Sequence, residues 1–137
     1  MNVYGGSFSV RTDRRCQMVD ITSKVAGEVS GNGVKDGDVL VFCPHTTAGI
    51  TINENADPDV QSDLLLTLGE LIPEDFNGYR HSEGNSDSHA KSSLVGCSEV
   101  VAVRGGKLVL GTWQGIYFCE FDGPRSRRVE LQIRSFD

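Results

Sequence analysis

From Glu99 to its end, the 137-residue chain runs through short apolar segments separated by turn residues, with no helical stretch between them. The segments cover residues 100–103, 107–110, 115–121 and 129–133, and Arg104-Gly-Gly and Asp122-Gly-Pro supply turns. Strands that follow one another without intervening helices do not build βαβ units, so a doubly wound parallel sheet is excluded. The expected class is α+β: mostly antiparallel sheet with two or three helices, in one compact domain spanning residues 1–137.

The first half supplies the helices. Residues 6–19 alternate apolar and polar positions and read as a hairpin, with Arg14 and Arg15 near its turn. Asp20 offers a cap for a helix whose stripe is Val25, Ala26 and Val29, and Gly31 and Gly33 end it. Residues 39–42 read as a buried strand and 47–53 as an alternating one. Asp57-Pro58 is a strong helix start, with Asp as the cap and Pro at the first helical position. Val60, Leu64, Leu65, Leu68, Leu71 and Ile72 then form a stripe expected to face the core, and Pro73 stops the helix. A short helix from Ser88 to Val95, capped by Asp87 or Ser88, follows a polar loop over 74–88.

With 38% apolar and 23% charged residues the chain has the composition of a folded soluble domain. A net charge of −6 argues against nucleic-acid binding and against attachment to anionic membranes. Met1-Asn-Val-Tyr leads into no basic-then-apolar leader, and no apolar run approaches a membrane span, so a cytoplasmic location is expected. The four cysteines form no CxxC pair and read as free thiols; Cys43 stands out only for lying two positions before His45.

All three histidines, His45, His81 and His89, lie in polar loop-like stretches rich in Thr, Asn, Asp and Ser. Imidazole is both a common metal ligand and the natural proton-exchange group near pH 7. Three convergent rings would match a catalytic zinc site with an open fourth position, although no HExxH or His-x-His pattern is present. Around them lie Thr46 and, sharing one strand face, Thr47, Thr51 and Asn53, then Glu54 and Asp57 at a helix start, a carboxylate pair suited to Mg²⁺. Asn85, His89 and Ser92 gather at the next helix start. Trp113 and Gln114 occupy a Gly-flanked turn, and Arg125, Arg127 and Arg128 follow a Gly-Pro turn with forks that match phosphate oxygens.

Five stretches together resemble the YjbQ family along the whole chain: Pro44-His-Thr-Thr-Ala-Gly-Ile, Asn53-Glu-Asn-Ala-Asp-Pro, Asn85-Ser-Asp-Ser-His-Ala-Lys-Ser-Ser, Gly111-Thr-Trp-Gln-Gly-Ile and Asp122-Gly-Pro-Arg-Ser-Arg. The resemblance implies a homotrimer with its polar signature residues gathered in a pocket near subunit contacts. It also implies a weak thiamine-phosphate-synthase-type activity, which joins a hydroxymethylpyrimidine diphosphate to a thiazole phosphate and releases pyrophosphate. Set against that chemistry, Arg125, Arg127 and Arg128 are candidates to hold phosphate, with Thr46, Thr47, Asn53, Asn85, Ser92 and Gln114 as further binding groups. Trp113 would stack on a ring. His45, His81, His89 and Glu54 are the candidate catalytic groups. Zn²⁺ on the histidines, or Mg²⁺ on Glu54 and Asp57, is the cofactor expectation, and a small anionic or phosphorylated molecule is the expected partner. The alternative is a non-catalytic protein that binds a metal or a small phosphometabolite.

Overall fold

The computed structural model describes residues 1–137 and contains eight strands and three helices. In chain order they are β1 (Asn2–Arg11), β2 (Gln17–Asp20), α1 (Thr22–Gly31), β3 (Gly37–Phe42), β4 (Ala48–Glu54), α2 (Pro58–Leu71), α3 (Ser86–Val95), β5 (Ser98–Arg104), β6 (Lys107–Leu108), β7 (Gln114–Glu120) and β8 (Ser126–Ser135). Every strand pairing is antiparallel, as expected for α+β. A five-stranded sheet runs β1-β8-β3-β5-β6 and a three-stranded sheet runs β2-β7-β4.

The two sheets share one core. Strand alternation turns Val39 and Val41 of β3, Val101 and Val103 of β5, and Val129, Leu131 and Ile133 of β8 to the same side. They meet Ile50, Ile116 and Phe118 of the smaller sheet together with Val25 and Val29 of α1. Each such fully buried side chain contributes roughly 1.5–3 kcal/mol. The opposite face of β7 carries Tyr117 and Cys119, which with Phe121 pack against Leu65 and Leu68 of α2 and Val95 of α3. The central strand β7 is therefore covered on both faces, between the large sheet and the helices α2 and α3.

Close backbone approach decides one residue of β3. A Cβ built on Gly37 would stand 1.8 Å from the Arg134 carbonyl oxygen of β8, so only glycine lets the two strands pair here.

Several expectations are corrected. Residues 6–19 hold strand conformation at both ends but form no hairpin. β1 pairs with β8 over ten residues, while β2 joins β7 in the other sheet. Period-two alternation identifies a strand but not its partner, and β8 offers β1 a full-length ladder that β2, at four residues, does not. The hairpin at Gly105-Gly106 forms, but its second arm is only Lys107–Leu108. Asp57 caps α2 as expected, its carboxylate accepting the Asp59 N–H at 2.9 Å. Yet no residue of α2 is fully buried, and Leu71 is exposed along with Leu66, because the helix lies on the outside of the three-stranded sheet. α3 begins at Ser86, after Asn85, two residues before the expected start. Asp87 does not cap it: its carboxylate is taken up by Arg15 and Lys91. No helix is long and apolar enough to cross a membrane.

Candidate functional site

One end of the sheet stack opens into a cleft of about 440 Å³ with no hydrophobic residue in its lining. Three connections meet there. The β3–β4 loop supplies Pro44, His45, Thr46 and Thr47. The loop into α3 and the first turn of that helix supply His81, Glu83, Asn85 and His89. The β7–β8 connection supplies Asp122 and Arg125, and the start of β8 supplies Arg127.

The cleft rests on a buried ion pair. Along β7 the inward positions are Ile116, Phe118 and Glu120, and along β8 they are Arg127, Val129, Leu131 and Ile133. The last inward residue of one sheet is thus a carboxylate, facing a guanidinium on the other. Glu120 is wholly buried and Arg127 nearly so. Arg127 Nε donates to Glu120 Oε1 at 2.9 Å, and its Nη2 donates to Glu120 and, at 2.8 Å, to Thr47 Oγ1. Thr12 donates its hydroxyl to Glu120 Oε1 at 2.8 Å. Burial alone would raise the Glu120 carboxyl, but the hydrogen bonds from Arg127 and Thr12 outweigh it and hold the group below the ordinary carboxylate range. Arg127 Nη1 makes no bond within the chain and is not among the enclosed atoms without a partner, so it opens to the cleft.

A second network seats α3. Arg15, at the crossing from β1 to β2, forms a two-toothed contact with buried Asp87 at 3.0 and 3.1 Å and reaches Glu74 at 3.0 Å. Lys91, one turn along the helix, donates to Asp87 at 3.0 Å. Burial opposes the Asp87 charge, but these two cations win and keep its carboxyl below the ordinary range. Serine hydroxyls do the rest: Ser88 Oγ donates to the Phe121 carbonyl at 2.6 Å and Ser92 Oγ to the Ala48 carbonyl at 2.7 Å. A helix without an apolar face is thereby fastened to β4 and to the end of β7, and it carries Asn85 and His89 to the cleft.

All three histidines line the cleft, as expected. Burial first, and then the Arg127 charge, lower the His45 pKa, so its imidazole is neutral at pH 7. Its Nε2 stands 2.9 Å from the Arg128 N–H and 3.1 Å from the Arg128 carbonyl. The Arg128 backbone fixes the ring in either neutral tautomer, Nε2 accepting from the N–H or donating to the carbonyl. Nδ1 makes no bond within the chain and is left to the cleft. His81 and His89 stand edge to face, 5.4 Å between ring centroids, with Glu83 3.8 Å from His81 Nε2. Three rings in one cleft are still not a ligand set, for no three His, Cys, Asp or Glu side chains assemble around a common point suited to a metal. A resident Zn²⁺ on the three histidines therefore does not fit this arrangement.

The other candidates divide between the cleft and the rest of the fold. Thr46, Thr47, Asn85, Arg125 and Arg127 reach the cleft. Ser92 is spent on the Ala48 carbonyl. Arg128 meets His45 through its peptide, while its guanidinium pairs with Glu130 at 2.6 Å. Asn53, Glu54, Trp113 and Gln114 lie at the other end of the β4–β7 ladder, where Glu54 pairs with Gln114, whereas Ala48 pairs with Glu120 at the cleft end. Asp57 caps α2 there, so Glu54 and Asp57 form no cation site beside the arginines. Trp113 is 63% exposed and stacks on nothing within the chain. Sequence reasoning passed over Glu120, Asp122 and Glu83. Glu120 had a signal, a carboxylate at the third inward position of an otherwise apolar strand; Glu83 had none beyond its neighbours.

The ion pair makes a direct prediction. Glu120→Ala leaves Arg127 charged, buried and unpaired, and should cost about 3–5 kcal/mol in urea unfolding at pH 7. A loss below about 1 kcal/mol would contradict the role given to the pair. Because the folded-state carboxyl is depressed, its contribution is complete above the unfolded value of about 4.3 and is lost as pH falls from there toward the folded value. Glu120→Ala should therefore flatten the acid limb of stability against pH.

Comparison with known proteins agrees with this fold. The family model described as UPF0047 protein YjbQ-like matches residues 6–135. The chain is 52% identical over 126 residues to the UPF0047 protein MJ1081 of Methanocaldococcus jannaschii, covering 92% of this chain and 91% of that one. It is 54% identical over 127 residues to the UPF0047 protein YugU of Bacillus subtilis, covering 93% and 96%. Among solved structures, an uncharacterized conserved protein of the YjbQ/UPF0047 family from Clostridium acetobutylicum superposes with a TM-score of 0.91 at 54% identity, covering 93% of this chain and 98% of that one. A YbjQ-like protein of unknown function from Sulfolobus solfataricus superposes with a TM-score of 0.93 at 35% identity, covering 98% of each. By sequence and by fold, this chain belongs to the YjbQ-like UPF0047 family.

Proposed function

We propose that the cleft binds a small phosphorylated molecule and exchanges a proton with it, making the chain an enzyme of phosphometabolite chemistry. The observation that carries this reading is a predominantly polar cleft on which two arginines and three histidines converge. Arg127 is held from behind by Glu120 and Thr47, so its free Nη1 needs no ordering to meet an anion. Arg125, braced by Asp122 at 3.1 Å, offers a second cationic contact at the rim. His45 is neutral and held at one nitrogen by a peptide, and its other nitrogen is placed to give or take a proton.

Departure of a phosphate or diphosphate is the reaction class these groups suit: the arginines offset the developing charge and a histidine supplies the proton. The thiamine-phosphate-type coupling releases pyrophosphate and belongs to this class. Its diphosphate end has partners in the cleft, but its two aromatic rings find no apolar shelf within one chain. Mg²⁺, where it takes part, would arrive with the phosphate oxygens rather than reside in a protein cage. A nucleic-acid or membrane partner has no support in the net charge.

The homotrimer is part of the same proposal, because it gives exposed Leu66 and Leu71 of α2 a surface on which to be covered. It requires a solution mass of three times 14.9 kDa by light scattering, and a monomer at micromolar concentration would contradict it.

Pyrophosphate binding by calorimetry, together with turnover of the coupling reaction, tests the function. Arg125→Ala should weaken pyrophosphate about tenfold, the worth of one charge-assisted hydrogen bond. His45→Ala should leave binding within about threefold and reduce turnover about a hundredfold. Both parameters unchanged in both variants would overturn the reading. Binding lost in Arg125→Ala, with no turnover of the wild type on any phosphate ester, would leave a phosphometabolite-binding protein and no enzyme.

A further inference from the structure

Beside its arginines, the cleft wall holds two hydrogen-bond acceptors to which the chain gives no donor, one enclosed within the wall and one open to the cleft. Asn85 is only 7% exposed, and its Nδ2 donates to Asp122 Oδ2 at 2.8 Å. Its Oδ1 is the only enclosed side-chain nitrogen or oxygen in the protein without a hydrogen-bond partner. Turning the amide over would press that oxygen against the Asp122 carboxylate, so charge fixes the orientation. Asn85 precedes α3 at the capping position, yet its side chain makes no capping bond, so the helix does not use the oxygen either. Asp122 differs in being open to the cleft: Asn85 and Arg125 both donate to its Oδ2, and its Oδ1 receives no donor from the chain.

Leaving a buried acceptor unmatched is costly, and a site that does so is completed by a ligand that brings the donor. The fully ionised phosphate of a monoester cannot do this, because its free oxygens are all acceptors. The complement to Asn85 Oδ1 and Asp122 Oδ1 is a hydroxyl. An ammonium fits less well, because Arg125 already neutralises Asp122 and Arg127 adds a second cation to the same space. With Pro44 the only nonpolar side chain in the lining, the constraint extends to the rest of the ligand, which has little hydrophobic surface to bury.

We infer that the molecule bound in this cleft is a phosphorylated polyol or sugar, with Asn85 and Asp122 reading a hydroxyl close to the phosphate held by Arg125 and Arg127. This rests on the phosphate-binding reading above and narrows it: the two residues set specificity, and the arginines supply affinity. A site built to pair a hydroxyl discriminates strongly against the analogue that lacks it, because the protein's own acceptors are then left unpaired.

Isothermal titration of the purified full chain with inorganic phosphate, n-propyl phosphate and sn-glycerol 3-phosphate tests this with three ligands that share one anionic group. All three should bind, and glycerol phosphate should bind at least about tenfold more tightly than propyl phosphate. In Asn85→Ala the gap between the two esters should close to within about twofold. Asp122→Asn, which keeps side-chain shape, should narrow the same gap and serves if Asn85→Ala does not fold. Equal affinity of the wild type for the two esters, with inorganic phosphate bound, overturns the hydroxyl inference and leaves the phosphate reading intact. A gap that persists in both variants overturns the assignment to Asn85 and Asp122. No binding of any of the three overturns both readings.

Discussion

The Glu120–Arg127 pair is the contact on which the rest of this protein depends. It sits where the apolar core between the two sheets ends, with the carboxylate on β7 and the guanidinium on β8. A hydrophobic pair would close the same space and bind nothing. The charged pair closes it and also turns a functional group outward, since Arg127 uses Nε and Nη2 for the fold and keeps Nη1 for the cleft. Desolvating two charges is expensive, and the Thr12 and Thr47 hydroxyls help to offset it by satisfying atoms the pair leaves over. The same carboxylate accepts the Phe121 and Asp122 N–H groups, so it also sets the start of the connection that carries Asp122 and Arg125. Gly123 is needed there for close approach: a Cβ on it would lie 2.4 Å from the Arg14 carbonyl.

Helix α3 follows the same logic with a different set of residues. Its buried face is Asp87, Ser88, Lys91 and Ser92, none of them apolar. Polar side chains can form a buried helix face only if each finds a partner, and here each does, through Arg15, the Phe121 carbonyl and the Ala48 carbonyl. Such a network specifies one seating of the helix, where a greasy face would tolerate sliding. For a helix that must present Asn85 and His89 at fixed positions, that specificity outweighs the stability an apolar face would contribute. The elements bounding the cleft are thus held by directional bonds to the elements beneath them, and preorganisation of the site follows from how the fold is closed at this end.

Much of this architecture was legible in the residues, and the failures have physical causes. The α+β class followed from strands without intervening helices, and the Asp57-Pro58 helix start from capping chemistry, because both are local signals. The partner of β1 was not legible, because alternation says which face a residue takes but nothing about which strand lies beside it. α2 misled because its leucine stripe lies on the outer surface of a sheet already covered on its other face. At the site, the histidine-bearing loops converge as their polarity suggested. Trp113 and Glu54 carry equally polar, equally specific-looking motifs, but they occupy the far ends of the same two strands whose near ends build the cleft. Sequence proximity of Asn53 to His45 concealed the length of β4 between them. Arg128 shows a further limit, since what it contributes to the site is a peptide group, for which no side-chain pattern is informative.

The central claim is that His45, His81 and His89 surround one anion-binding cleft. Long-range ¹H–¹⁵N spectra of the three imidazoles, recorded while inorganic phosphate is added at constant ionic strength and pH, test it most directly. Ring resonances of all three histidines should shift together along a single saturation curve. Rings that do not respond, or that respond along separate curves, would show that the three histidines do not share a site.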